Sequence, residues 1–323
     1  MKELSAFPRV ALGILPTPLY RLENISSLLK KNVYIKRDDM TGVSLGGNKV
    51  RKLEYLLGDA KTKGADYVLT TGGAQSNHAM LAAACANRLG MGSVLVLKKR
   101  GVWEKKGNQV LNALLGTEVR FVDSDSYDDV YAEMNAVADA LRAQGHVPYL
   151  IPVGGSVPLG SLGYVNCARE IAAQCAEQDL RLDHIVCCTG SGGTHAGLAL
   201  GAHIYLPGVP VTGMDVDGDD FTRIVSSLMN DTAALLEYDP RFTPDDVRLR
   251  RMAGAGYAIP SPAGNDAMRL MARREGLILD PVYTGKTFAG LLETARDGGF
   301  DGAENILFLH SGGAGGVFAI ETV

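Results

Sequence analysis

The stretch Tyr67-Val68-Leu69-Thr70-Thr71-Gly72-Gly73-Ala74-Gln75-Ser76-Asn77-His78, continuing through Ala79 to Leu89, shows how the whole chain is built. Its apolar run, Tyr67 to Thr70, predicts a short strand. The glycines predict a turn, and Ala79 to Leu89 predicts a helix. The same unit recurs on both sides. Strands are expected at 33–36, 93–97, 119–122, 185–188, 211–216 and 306–310, with a further apolar run at 148–152. Helices are expected at 49–60, 127–144, 162–174, 194–204, 260–275 and 288–295. Such alternation implies an α/β protein of two lobes, each with a mainly parallel sheet flanked by helices. No fixed repeat and no low-complexity linker interrupts it.

Composition narrows the classes further. The 323 residues suffice for about two domains or one large α/β unit. A formal charge of −4 excludes a broad basic nucleic-acid surface, and 46% hydrophobic against 21% charged residues excludes disorder. The 39 glycines exceed the usual share of about 7%, and they cluster where apolar runs end, as loops built against a ligand do. Five cysteines in apolar surroundings, with no C-x-x-C spacing, read as reduced thiols of a cytoplasmic protein. The broken apolar patch around Pro8 and Arg9 is too short for a signal peptide, and no long apolar run predicts a membrane span.

Three glycine-rich turns follow predicted strands: 71–78, 189–197 and 310–316. In the second, Gly190, Ser191, Gly192, Gly193 and Thr194 precede a helix. That arrangement suits a phosphate, held by backbone N–H groups and two hydroxyls, or else a tight turn whose glycines serve packing alone. A dinucleotide reading with Asp215 fails because His195 stands at the third glycine position. A P-loop ending Gly285-Lys286-Thr287 fails because position 280 is Asp. The six histidines show no metal-ligand spacing, so no metal is expected. Lys49, behind Gly46-Gly47-Asn48, is either a solvated helix-start lysine or a desolvated amine with nucleophilic character.

The segment Gly46-Gly47-Asn48-Lys49-Val50-Arg51-Lys52-Leu53-Glu54 resembles the cofactor-lysine motif of the D-cysteine desulfhydrase and 1-aminocyclopropane-1-carboxylate deaminase family, fold-type-II enzymes dependent on pyridoxal 5'-phosphate. Further matches follow in order over nearly the whole chain: 15–19, 35–39, 75–78, 154–156, 190–194, 280–286 and 310–313. The resemblance implies that Lys49 bears the cofactor as a Schiff base and moves a proton at the substrate Cα. It implies that Gly190 to Thr194 hold the phosphate and that Asn77 bonds the phenolic oxygen. Ser76, Asn77 and His78 would meet the substrate carboxylate, and Tyr257 and Tyr283 would stand on the substrate side. As core aromatics, these two tyrosines would instead only satisfy their hydroxyls. Ser311, with Thr284 nearby, would lie beside the pyridine nitrogen.

Hydroxyls there leave the ring a moderate electron sink, enough to expel a good β leaving group. The deaminase branch typically has Glu after the tyrosine matching Tyr283 and Leu at position 311, so Thr284 and Ser311 resemble the desulfhydrase branch. The expected reaction is α,β-elimination, with D-cysteine giving pyruvate, ammonia and hydrogen sulfide. L-cysteate sulfo-lyase, the cyclopropane deaminase and a catalytically dead small-molecule binding protein are the alternatives. Gly315 and Gly316 are read as loosening the turn after Ser311. The resemblance further implies a large lobe of 1–47 and 160–323, a small lobe of 48–159, and a homodimer.

Overall fold

The computed structural model describes residues 1–321. Six strands form the larger sheet: β1 (Leu19–Arg21), β2 (Asn32–Arg37), β7 (His184–Thr189), β8 (Val211–Asp215), β9 (Arg248–Arg251) and β10 (Asn305–His310), in the order β1-β2-β10-β7-β8-β9. All neighbours are parallel except β1, which runs antiparallel to β2 at the edge. The smaller sheet holds β3 (Tyr67–Gly73), β4 (Gly92–Lys98), β5 (Glu118–Val122) and β6 (Pro148–Ile151), all parallel in the order β5-β4-β3-β6. The α/β architecture of two mainly parallel sheets expected from the sequence is therefore present. Among the described residues no helix is long and apolar enough to cross a membrane.

Helices cover the faces that parallel strands must bury. The small sheet is flanked by α2 (Lys49–Thr62), α3 (Asn77–Arg88), α4 (Asn108–Leu114) and α5 (Tyr127–Ala143). Leu53, Leu56 and Leu57 of α2 share one core with Leu81 and Cys85 of α3 and with Ile151. The large sheet is flanked by α1 (Glu23–Leu29), α6 (Pro158–Glu177), α7 (Gly193–Tyr205), α8 (Phe221–Leu235), α9 (Pro262–Glu275) and α10 (Thr284–Arg296). All five cysteines are buried free thiols.

Several elements begin earlier than periodicity alone indicates, and each has a local cause. Helix α6 starts at Pro158, whose ring suits the first helical position. Helix α10 starts at Thr284 because the Asp280 carboxylate accepts from the backbone N–H groups of Val282, Tyr283 and Thr284 at 2.7–2.9 Å. Helix α2 follows Gly46 and Gly47, at φ 72° and 139°. A Cβ on Gly46 would fall 1.8 Å from the Asp39 carbonyl oxygen, so the turn that launches Lys49 is closed to any side chain.

Two residues into α2, Arg51 is buried in an ionic network. Its Nε and Nη2 reach Asp38 at 2.8 Å, and its Nη1 and Nη2 reach Glu170 at 2.9 and 2.8 Å. Lys36 also donates to Glu170, and the Tyr164 hydroxyl donates to Asp38 at 2.6 Å. Two cations and two carboxylates thus compensate each other, and they tie α2 to β2 and α6.

Candidate active site

The carboxyl ends of β2, β3, β7 and β10 converge on one cleft, as expected for a parallel sheet that binds a ligand. Lys49 stands at the N-terminus of α2, and its Nζ lies 3.1 Å from Asn48 Oδ1. Desolvation lowers its pKa to about 8, against the opposing pull of Cys188 and Asp280. About a tenth of its amine is therefore neutral at pH 7, far more than for an exposed lysine.

Asn48 joins three parts of the site. Its Nδ2 donates to Thr194 Oγ1 at 3.0 Å, and its N–H donates to the Ser311 carbonyl at 3.0 Å. Lys49, the Gly190–Thr194 turn and the turn after β10 are thus held together by one side chain and its own backbone. Sequence reading quoted Asn48 in the motif but gave it no role.

The Gly190–Thr194 turn leads from β7 into α7, with Gly192 at φ 82°. Gly193 N–H donates to Ser156 Oγ at 3.2 Å, which in turn lies 2.9 Å from Ser191 Oγ. Lys52 Nζ sits over the same place, 3.2 Å from Ser156 Oγ and 3.1 Å from the Gly154 carbonyl. A Cβ on Gly193 would meet Lys52 Nζ and Ser156 Oγ at 2.8 Å each. Backbone N–H groups at a helix start, three hydroxyls and a buried lysine amine make a cradle suited to a phosphate monoester. Burial, then the Lys49 charge, pushes Lys52 well below its ordinary value, a cost that an anion would offset. Sequence reading quoted Lys52 and Ser156 within matched segments but gave them no role, because they approach the turn only through the fold.

Helix α3 opens on Ser76, whose Oγ accepts from Ala79 N–H at 3.2 Å. The N–H groups of Asn77 and His78 have no partner among the described residues, so they remain available to an anion. The Asn77 Oδ1 accepts from Asn108 Nδ2 at 2.8 Å. The His78 imidazole is buried in the wall, with Nε2 2.9 Å from Thr70 Oγ1, and burial followed by the charges of Lys49 and Lys52 keeps it neutral.

On the opposite side the hydroxyls of Tyr257 and Tyr283 are hydrogen-bonded to each other. Tyr257 is 36% exposed, yet desolvation at its hydroxyl pushes that group up to about 12, and Tyr283 rises well above its ordinary value. Lys286 holds this arrangement from behind: its Nζ donates to the carbonyls of Ala253 and Gly256 at 2.7 and 3.0 Å. The Tyr283 ring also approaches Gly190, where a Cβ would lie 3.4 Å from Cε1.

Thr284 is buried, and its hydroxyl is engaged inside the helix cap. It donates to Asp280 Oδ1 at 2.7 Å and accepts from Asp280 N–H at 2.8 Å. Ser311 is also buried, on the turn that faces Gly47. Cys188, at the end of β7, is a further neighbour of Lys49; burial raises its thiol to about 12.

A lysine amine at a helix start, a βα turn suited to a phosphate, and free helix-start N–H groups, set between two mainly parallel sheets, fit a fold-type-II enzyme dependent on pyridoxal phosphate. The family of pyridoxal-phosphate dependent enzymes matches residues 10–312. A Salmonella choleraesuis D-cysteine desulfhydrase is 40% identical over 335 residues, covering 99% of this chain and 98% of the relative. A Pyrococcus horikoshii protein provisionally named 1-aminocyclopropane-1-carboxylate deaminase is 43% identical over 317 residues, covering 98% and 94%. The crystal structure of an ACC deaminase homologue superposes with TM-score 0.91 at 42% identity, covering 98% of this chain and 94% of that one. The chain belongs to the 1-aminocyclopropane-1-carboxylate deaminase/D-cysteine desulfhydrase family of pyridoxal-phosphate-dependent lyases.

Proposed function

We propose that the protein catalyses α,β-elimination from a β-substituted amino acid, with D-cysteine and water giving pyruvate, ammonia and hydrogen sulfide. The observation that carries this reading is the set of groups around the turn after β10. Ser311 is a hydroxyl, Thr284 is another, and the buried Asp280 carboxylate, packed against the turn at Gly313, is saturated by four donors. A pyridine nitrogen facing hydroxyls stays largely neutral, which favours expulsion of a good leaving group over opening of a cyclopropane. With the cofactor bound, Ser311 would lie on the ring-nitrogen side, and Thr284 acts through Asp280 by fixing the start of α10.

The remaining roles follow from position. Lys49 holds the cofactor and moves a proton at the substrate Cα, as its depressed pKa allows. Gly190, Ser191, Gly192, Gly193 and Thr194 hold the phosphate, assisted by Lys52 and Ser156. The Asn77 amide donates to the phenolic oxygen. The free N–H groups of Asn77 and His78, with the Ser76 hydroxyl, bind the substrate carboxylate; His78 contributes its backbone, since its ring is engaged by Thr70. The bound cofactor supplies the electron sink that lets the Cα–H bond break. The Tyr257–Tyr283 pair gives a proton to the departing sulfur, and closure of a 48–159 lobe on the remainder excludes water. We further propose a cytoplasmic homodimer.

The test is to incubate the cofactor-loaded protein with D-cysteine, L-cysteine, L-cysteate and 1-aminocyclopropane-1-carboxylate in turn. Pyruvate with sulfide from D-cysteine supports the reading. Pyruvate with sulfite from L-cysteate moves it to the sulfo-lyase, and 2-oxobutyrate alone refutes the assignment drawn from Thr284 and Ser311.

A further inference from the structure

We infer that Asn108, a residue outside every motif quoted above, is the positioning residue that makes Asn77 present its NH2 group, and not its carbonyl, to the cleft. The inference rests on the reading that Asn77 faces the cofactor's phenolic oxygen, where only a donor is useful. The two ends of a carboxamide have nearly the same shape, so neighbours decide which end points where. Here the decision begins at the backbone and passes through three side chains.

Gln75 Nε2 faces the Val102 and Lys106 carbonyls at 2.9 and 3.1 Å. Carbonyls only accept, so this end of Gln75 is the amine. Its Oε1 accepts from Asn108 N–H at 2.8 Å, which seats the start of α4. Asn108 Nδ2 faces the Gln75 carbonyl at 2.9 Å, so that end is likewise the amine. The same Nδ2 reaches Asn77 at 2.8 Å, so the Asn77 atom it meets is Oδ1, and the Asn77 amine is left for the cleft.

Asn108 is wholly buried, and its own Oδ1 has no partner among the described residues. That oxygen lies against Gly315, where a Cβ would come within 2.0 Å of it. The glycine read from sequence as loosening the turn after Ser311 is thus a fitted one, since any side chain at 315 displaces the Asn108 amide.

The experiment uses the cofactor-loaded full chain and two readouts apart from turnover: the pH midpoint of the bound cofactor's visible absorbance change, and the dissociation constant for pyridoxal phosphate. Loss of a donor at the phenolic oxygen disfavours the more negative form and raises the midpoint. Asn108→Ala is expected to raise it by about half a unit or more and to weaken binding about five- to tenfold, the scale of one hydrogen bond. Asn77→Ala is expected to do the same, and Asn108→Ala is expected to add nothing in the Asn77→Ala chain. Gly315→Ala, which displaces Asn108 without removing it, should reproduce the shift, so one of the two variants still tests the idea if the other does not fold. Equal shifts from Asn108→Ala with and without Asn77 would overturn the positioning role alone. An Asn77→Ala chain with native midpoint and affinity would overturn the reading of Asn77 itself, and the inference with it.

Discussion

The depressed pKa of Lys49 has a kinetic consequence that can be worked through. An exposed lysine near 10.5 has about 0.03% of its amine free at pH 7, whereas a lysine at about 8 has roughly 10% free, a gain of about 300-fold. The free amine is the form that captures an aldehyde. The rate at which cofactor-free protein takes up pyridoxal phosphate should therefore rise with unit slope in log rate up to about pH 8 and then level off. The assay is stopped-flow visible absorbance from pH 6 to 10.5, with N-α-acetyl-lysine in free solution run in parallel. Dividing the two profiles removes the titration of the cofactor's own groups, and the ratio should fall about tenfold per pH unit above 8. A protein profile that keeps rising to pH 10 would refute the claim that burial, here the dominant cause, makes the amine neutral.

The same shift predicts a stability effect. Between pH 8 and 10.5 the unfolded chain binds a proton that the folded chain lacks, so the cofactor-free protein should gain about 3 kcal/mol as pH rises through that window, and Lys49→Met should lose most of this gain in denaturant titrations. Gly193→Ala places a Cβ 2.8 Å from both Lys52 Nζ and Ser156 Oγ; equilibrium dialysis should show cofactor affinity reduced about tenfold or more. Arg51→Met leaves Asp38 and Glu170 buried without their main partner and should cost about 3–5 kcal/mol in urea unfolding, with partial recovery on adding Asp38→Asn.

The parts of the fold legible in the sequence are those where burial imposes a period. Strands inside the parallel sheets read as apolar runs, and the helices covering them show the 3.6-residue repeat. Two of the elements that escaped, β1 and β9, lack that signal. Strand β1 has three residues, of which only Leu19 is buried, and β9 is Arg248-Leu249-Arg250-Arg251 at a sheet edge. Helix α8 is different: Phe221, Ile224, Val225, Leu228 and Met229 recur at the helical period, so the signal was there and was missed. In the site, Lys49, Ser76 and Asn77 were given roles by the family resemblance of the segments that carry them, since local turn chemistry alone left Lys49 open between a solvated and a desolvated amine. Lys52, Ser156 and Asn108 were not. Their partners are tens of residues away, and an isolated Lys, Ser or Asn has no local feature that announces such a contact.

One physical cause sets the protonation of the whole cleft. Desolvation disfavours charge of either sign, so it lowers the amine of Lys49 to about 8 while raising Tyr257 and Cys188 to about 12 and Tyr283 well above its ordinary value. Near neutral pH about a tenth of the Lys49 amine is therefore free to take a proton, while the tyrosines on the other side keep theirs. No charged pair is needed to tune either, which distinguishes this cleft from the Arg51 network behind it, where compensation between charges does the work. The arrangement demands that the tyrosine pair be held in place by something other than charge attraction to Lys49. Lys286 meets that demand: its two bonds to the Ala253 and Gly256 carbonyls fix the turn that carries Tyr257, and its place on α10, three residues past Tyr283, ties both hydroxyls to one helix start.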